Sequence, residues 1–272
     1  MKVAIVTDSN SGITQEEAKQ LGITVIPMPF LINGEEYFED ISLNQEDFYK
    51  KLFEDADVST SQPSIYNINK VWTDLLKSYD QIVHIPMSSG LSASCATATA
   101  SSESDEFKGK VFVVDNKRIS ITQKQSVLDA IKLAKEGKTG SEIKDFLLET
   151  SMKASIYIMV STLKYLKKGG RLTPAVAAIG SLLKIKPVLQ IQGDKLDKFS
   201  QVMNVSVGKK RMIEQIIKDI ETRFQDELNS KHLTVFMAYT YDKQKCLEFK
   251  AEAEKALEKY NIKIEVVDPL SL

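Results

Sequence analysis

Histidine and cysteine are scarce in this 272-residue sequence, which holds two of each. His84 lies inside an apolar run, Ile82-Val83-His84-Ile85, and reads as a satisfied core histidine of a strand. His232 follows Ser230-Lys231 and reads as solvated. Cys95 and Cys246 stand far apart without ligand spacing, which argues against a disulfide framework and against zinc. No metal and no cofactor is expected. No Gly-x-x-x-x-Gly-Lys-Ser/Thr run occurs, and no Gly-x-Gly-x-x-Gly follows a strand, so a Walker loop and a dinucleotide fingerprint are both excluded. No apolar run nears the roughly 18 residues of a membrane span. The opening Met1–Val6 meets Asp8 too soon for the apolar core of a signal peptide. A cytoplasmic protein with reduced thiols is the expectation. Lys plus Arg number 36 against 37 Asp plus Glu, a net of −1, which removes a globally basic nucleic-acid binder.

What is present is ordinary in bulk and patterned in detail. Apolar residues are 43% and charged residues 27%, the balance of a globular chain. Short β-branched runs alternate with helical patterns. Val3–Val6, Ile23–Phe30, Gln81–Pro86, Val111–Val114 and Ile156–Val160 read as strands. Thr14-Gln15-Glu16-Glu17 reads as a capping box, Gly22 as the helix stop, and Asn33-Gly34 as a type I′ hairpin turn. Helices are expected over about 45–54, through Trp72, from Ser92 to Ala100, and over about 121–136 and 141–152. Strands spaced by helices predict a mostly parallel sheet with flanking helices. Later come a helix over about 206–228, a strand Leu233–Tyr239, a helix to Lys259 and a strand Ile262–Val267. The expected class is α/β in two domains: residues 1–153, and a C-terminal α/β or α+β domain over 154–272.

Three loops are crowded with hydroxyls: Thr7–Ser11, Ser59–Ser64 and Ser88–Ser94. Each serine taken singly is an ordinary cap or turn residue. Three such loops at one sheet edge point to a shared anion site, because ligands of open α/β sheets bind beyond the carboxyl ends of strands. Hydroxyls also donate to a carboxylate or phosphate without adding charge. A helix of small and aliphatic residues is expected from Thr173-Pro174 to Leu183, as core or as an apolar wall beside a ligand. Charge is segregated. Residues 162–211 hold 11 basic and 2 acidic residues, whereas residues 1–60 hold 4 basic and 12 acidic. The basic stretch suggests an anionic partner or surface. Gly90-Leu91-Ser92-Ala93-Ser94 resembles a nucleophile elbow only superficially, since Ser94 replaces the second glycine and only His232 follows as a base.

Thr7-Asp8-Ser9, Thr60-Ser61-Gln62-Pro63-Ser64, Ser88-Ser89-Gly90-Leu91-Ser92 and Leu163-Lys164-Tyr165-Leu166-Lys167-Lys168-Gly169-Gly170-Arg171-Leu172, in this order, resemble the DegV family across essentially the whole chain. The resemblance implies a bacterial fatty-acid-binding protein of two α/β domains with the acyl chain, such as palmitate, buried between them. It implies a lipid-binding carrier rather than an enzyme, with no catalytic residue of its own. Some members present the fatty acid to a separate ATP-dependent kinase subunit that phosphorylates the carboxylate. Carried over by motif, Thr60 and Ser92 would hold the carboxylate, with Ser61 and Ser89 as supporting hydroxyls. Lys167, Lys168 and Arg171 would dock a partner. Family chains usually continue past Asp268-Pro269-Leu270-Ser271 into a His-x-Gly-Pro-Gly-like segment, which this sequence lacks; neither His84 nor His232 matches it. Ala93-Ser94-Cys95 replaces the usual Gly-Thr-Tyr, and Val207 stands where an arginine commonly precedes Lys209-Lys210. Lipid binding tolerates these departures better than phosphoryl transfer does. A lipid binder outside the kinase pathway, a hydrolase using Ser92 or Ser89, and a module docking an acidic protein are the alternatives.

Overall fold

The computed structural model describes all residues except Leu172, 178–184, Asp194 and 268–272. The chain forms two compact units, Met1–Ala154 and a second from Ser155 onward. The first contains β1 (Val3–Asp8), α1 (Gln15–Leu21), β2 (Thr24–Ile26), β3 (Pro29–Ile32), β4 (Glu35–Phe38), α2 (Gln45–Phe53), β5 (Val58–Thr60) and α3 (Ile65–Leu75). It continues with β6 (Gln81–Ile85), α4 (Ser94–Ser102), β7 (Val111–Val113), α5 (Ser120–Lys135) and α6 (Gly140–Glu149).

Four strands form a parallel sheet in the order β2-β1-β6-β7. Side-chain alternation along each strand feeds two cores. Ala4, Val6 and Ile82 pack with Ile68, Trp72 and Ala98 on the α3/α4 face. Ile5, Val83 and Ile85 pack with Val127, Ile143 and Leu147 on the α5/α6 face. A helix layer thus covers each side of the sheet, which is why its strands are apolar almost throughout. The chain leaves β1 towards β2 on one side and later returns as β6 on the other. The carboxyl ends of β1 and β6 therefore diverge at a topological switch point, where such sheets bind ligands.

The second sheet of this unit is antiparallel, in the order β4-β3-β5. Asn33 and Gly34 turn the β3–β4 hairpin with φ of 52° and 86°, as the sequence predicts for a type I′ turn. The expected strand Ile23–Phe30 is instead two strands. Pro27 and Met28 interrupt it, since proline carries no N–H for a ladder. Thr14 caps α1 by accepting the Glu17 N–H at 3.1 Å. Glu17 pairs with Lys124, and the reciprocal capping box is found at Thr139–Glu142.

The second unit contains β8 (Ile156–Met159), α7 (Lys164–Lys168), α8 (Pro174–Ala177), β9 (Lys186–Ile191), β10 (Leu196–Val202), α9 (Val205–Thr222), α10 (Gln225–Asn229), β11 (Val235–Ala238), α11 (Lys243–Leu257) and β12 (Ile264–Val267). Strands β10-β9-β8 form an antiparallel sheet, and β11 and β12 a parallel pair. Ile220, Ala253, Leu257 and Ile264 form the core between α9, α11 and the pair. The expected 206–228 helix breaks at Arg223–Phe224, whose N–H groups both bond the Asp219 carbonyl. The helix expected over 174–183 starts at Pro174, with Thr173 Oγ1 accepting the Val176 N–H at 3.3 Å. Beyond Ala177 that expectation lies outside the described residues until Ile185.

Candidate functional site

The loops after β1, β6 and β7 meet at the carboxyl edge of the parallel sheet. Asp8 ends β1 and is buried. Its carboxylate accepts the Met87 N–H at 2.8 Å and the Gln123 amide at 3.0 Å. No cation pairs with it among the described residues, and burial pushes its carboxyl up to about 6 against the pull of those donors and the Asn10 N–H. Ser9 Oγ accepts the Met28 N–H at 3.0 Å and donates to buried Glu39 at 2.8 Å. The Thr7–Ser11 hydroxyls are thus spent on fastening the loop: Thr7 donates to the Ile85 carbonyl and Ser11 to the Asp8 carbonyl.

The Ser88–Ser92 loop is different. The N–H groups of Leu91 and Ser92 both bond the Ser88 carbonyl, at 3.0 and 3.1 Å, which closes a tight turn. Ser89 spends its proton on Asp115 at 2.6 Å, and its N–H bonds the same carboxylate at 3.2 Å. Half-buried Ser92 accepts the Ser94 N–H at 3.1 Å, which uses an oxygen lone pair and leaves the hydroxyl proton available.

Thr60 ends β5 opposite Phe30, so the Ser59–Ser64 loop leaves the antiparallel sheet, not the edge of the parallel one as the sequence suggests. Thr97 in the first turn of α4 nevertheless donates to the Gln62 side chain at 3.3 Å, which ties the Ser59–Ser64 loop to the helix that follows Ser92. Thr60 is exposed, and no side-chain hydrogen bond holds its hydroxyl among the described residues. Ser61 Oγ is turned back onto the Gln62 carbonyl at 3.1 Å. Of the four hydroxyls singled out by sequence, Thr60 and Ser92 keep a free proton, while Ser61 and Ser89 commit theirs. Next to Pro63 lies a pocket of about 250 Å³ lined by Ile26, Pro27, Phe38, Pro63, Asn67 and Val71, with Lys70 also on its wall.

Nucleophilic chemistry has little support here. Neither Ser89 nor Ser92 has a histidine partner among the described residues. His84 is buried, its ring meets the edge of Trp72 at 5.6 Å, and burial pulls its pKa down to about 3. Its Nδ1 has no partner, so it is a core histidine but an unsatisfied one. His232 is exposed beside Ser230, 3.2 Å away. The Cys95 thiol is pushed up to about 12 by burial and the nearby Asp115 and Asp8 carboxylates, which leaves it inert. No cluster of three or more metal-ligating side chains occurs among the described residues.

In the second unit, Lys167 and Lys168 lie exposed on α7, and Arg171 follows it with a guanidinium N–H on the Gly169 carbonyl. Sequence reading passed over Asp115, Asn116 and Arg118, which follow β7. Their only signal was position, since Val111–Val114 is a buried strand and its carboxyl end joins the same edge as Asp8. Asn116 is fully buried, with neither amide atom bonded.

A family model described as "Uncharacterised protein, DegV family" matches residues 2–272. A DegV domain-containing protein of Caldanaerobacter subterraneus is 32% identical over 79% of this chain and 75% of its own length. The crystal structure of DegV, described as a fatty acid binding protein, from Bacillus subtilis superposes with a TM-score of 0.82 at 29% identity, covering 100% of this chain and 93% of that one. A DegV family protein from Thermus thermophilus, whose structure is described by its fatty acid binding, superposes with a TM-score of 0.80 at 25% identity, covering 100% and 94%.

Proposed function

This chain belongs to the DegV family, and on that premise we propose that it binds a long-chain fatty acid whose carboxylate is held by the hydroxyls of Thr60 and Ser92. The observation that carries the reading is the state of those two hydroxyls: each keeps its proton, and the Thr60 loop is tied through Gln62 to Thr97 of the helix that follows Ser92. Fatty acid binding by solved relatives supports the ligand class. A carboxylate leaving water needs several donors to offset its lost hydration, and neutral donors supply them without a buried counter-charge. The acyl chain contributes about 0.8 kcal/mol per buried CH₂, so a palmitate-length tail gains on the order of 10 kcal/mol before ordering costs. The protein is then a carrier that needs no catalytic group. Thr60→Val and Ser92→Ala should each weaken palmitate binding by about ten-fold or more, since a lost donor to a buried acceptor costs roughly 1–3 kcal/mol. Titration calorimetry with delipidated protein measures it. Unchanged affinity in both variants refutes the carboxylate assignment, and failure to take up any fatty acid refutes the function.

We propose further that the basic stretch is the surface on which a separate kinase subunit docks. Lys167 and Lys168 are exposed on one short helix of a strongly basic segment. Clustered charge speeds encounter and makes it salt-sensitive. Charge reversal at both lysines should slow acyl phosphate formation with a cognate kinase and leave fatty acid affinity intact. Normal phosphorylation of the variant's lipid removes the docking role.

A further inference from the structure

The geometry points to Arg118 as the positioning residue of the head-group loop, acting on Ser92 from the far side of the sheet edge; this rests on the carboxylate reading above. Arg118 is buried, and among the described residues no carboxylate stands within ion-pair distance of its guanidinium, although the Asp129 charge acts on it. Its donors go to neutral acceptors at the end of another helix. Nε bonds the Ser151 carbonyl, one terminal nitrogen the Thr150 carbonyl, and the other the Ser126 hydroxyl at 3.0 Å. Thr150 and Ser151 close α6, so the cation sits on the negative end of that helix dipole and satisfies carbonyls the helix leaves unpaired.

The consequence for the site runs through the main chain. The Arg118 carbonyl accepts the Ser88 N–H at 2.9 Å, and the Ser88 carbonyl accepts the Ser92 N–H at 3.1 Å. Ser92 is therefore two hydrogen bonds from the anchored arginine. Asp115, three residues before Arg118, holds Ser89 by both its N–H and its hydroxyl. The 115–120 loop thus grips the head-group loop at two consecutive residues. The same segment holds Lys117 and Ser120 at φ of 59° and 56°, values that side-chain-bearing residues rarely adopt. A loop held this way presents the Ser92 proton in one direction, and preorganisation of a donor is what gives it value for binding.

The test compares palmitate with hexadecanol, which has the same chain and a neutral head. Arg118→Met should weaken palmitate binding about ten-fold while hexadecanol affinity moves less than about two-fold, and Arg118→Lys, which still reaches one carbonyl, should recover part of the loss. A merely structural role would weaken both ligands alike, and that result, or unchanged palmitate affinity in the folded variant, overturns the proposal. If Arg118→Met fails to fold, Asp115→Asn, which loosens the same loop from its half-buried end, must give the same palmitate-selective loss; an equal or absent loss there overturns the proposal too. Ser92→Ala separates the two levels. If it abolishes the preference for palmitate and the loop variants do not, the positioning role alone fails. If the unmodified protein has no such preference, the carboxylate reading fails and takes the positioning role with it.

Discussion

Trp72→Ala should lower the free energy of unfolding by about 3–5 kcal/mol, the range for emptying a buried aromatic site. Trp72 is 0% exposed and lies in the α3/α4-face core with Ile68, Ala98 and Val111. Its ring meets Phe107 edge-on at 5.1 Å and His84 at 5.6 Å. Its Nε1 has no partner, so the loss comes from packing and not from a broken hydrogen bond. Trp72→Phe should cost less than half as much, because it keeps a ring in the site and removes the unpaired N–H. Urea unfolding reads both as a shift in midpoint at constant slope. A loss under about 1 kcal/mol for the alanine variant would mean that the surrounding side chains collapse into the space. The helix that carries Trp72, α3, is capped by Ser64, whose hydroxyl accepts the Asn67 N–H at 3.2 Å.

The features legible in the sequence are those fixed by neighbouring residues. The Asn33-Gly34 turn, the Thr14 cap, the Gly22 stop with φ of 71° and the parallel strands separated by helices follow from local geometry and burial period. Misread features depend on distant partners. The β10 strand, Leu-Asp-Lys-Phe-Ser-Gln-Val, carries too few apolar residues to announce itself, and it exists by pairing with β9. The end of α9 has no glycine or proline to mark it. Its buried Asp219 is held by the Tyr157 hydroxyl from β8, 62 residues earlier. The site divides the same way. Hydroxyl-rich loops were visible as composition. Which of those hydroxyls keeps its proton was not, because Ser89 differs from Ser92 only through Asp115, which lies 26 residues from Ser89. Arg118 was invisible as a positioning group since two of its three acceptors are carbonyls 32 and 33 residues away, and carbonyls carry no sequence signal.

Between pH 7.5 and 5 the contributions of buried His84 and Asp8 to the stability of the unmodified protein should offset each other to within about 1 kcal/mol, because they act in opposite senses. Burial lowers His84 from 6.5 to about 3. Above pH 6.5 it is neutral folded and unfolded. Below that, the unfolded chain takes a proton that the folded one refuses, and stability is lost until the pH reaches about 3. Asp8 is raised from 3.8 to about 6. Its carboxylate is charged in both states at pH 7.5. As the pH falls through 6 the folded chain takes the proton first, and stability is gained until 3.8. At pH 5 the His84 loss is about 2 kcal/mol and the Asp8 gain about 1 kcal/mol. Asp74 and Glu142, both lowered to about 2, contribute only as the pH nears their unfolded values and stay out of this window. Removing either buried group exposes the other. His84→Leu is close in volume and abolishes an unpaired Nδ1, so it should equal or exceed the parent at pH 7.5 and gain about 1 kcal/mol on going to pH 5. Asp8→Asn should lose about 2 kcal/mol over the same interval. Urea unfolding at pH 7.5, 6 and 5 measures all three proteins. A flat profile for Asp8→Asn would mean that water or a shifted side chain relieves the buried histidine. A flat profile for His84→Leu would mean that the Met87, Asn10 and Gln123 donors hold Asp8 ionised despite its burial.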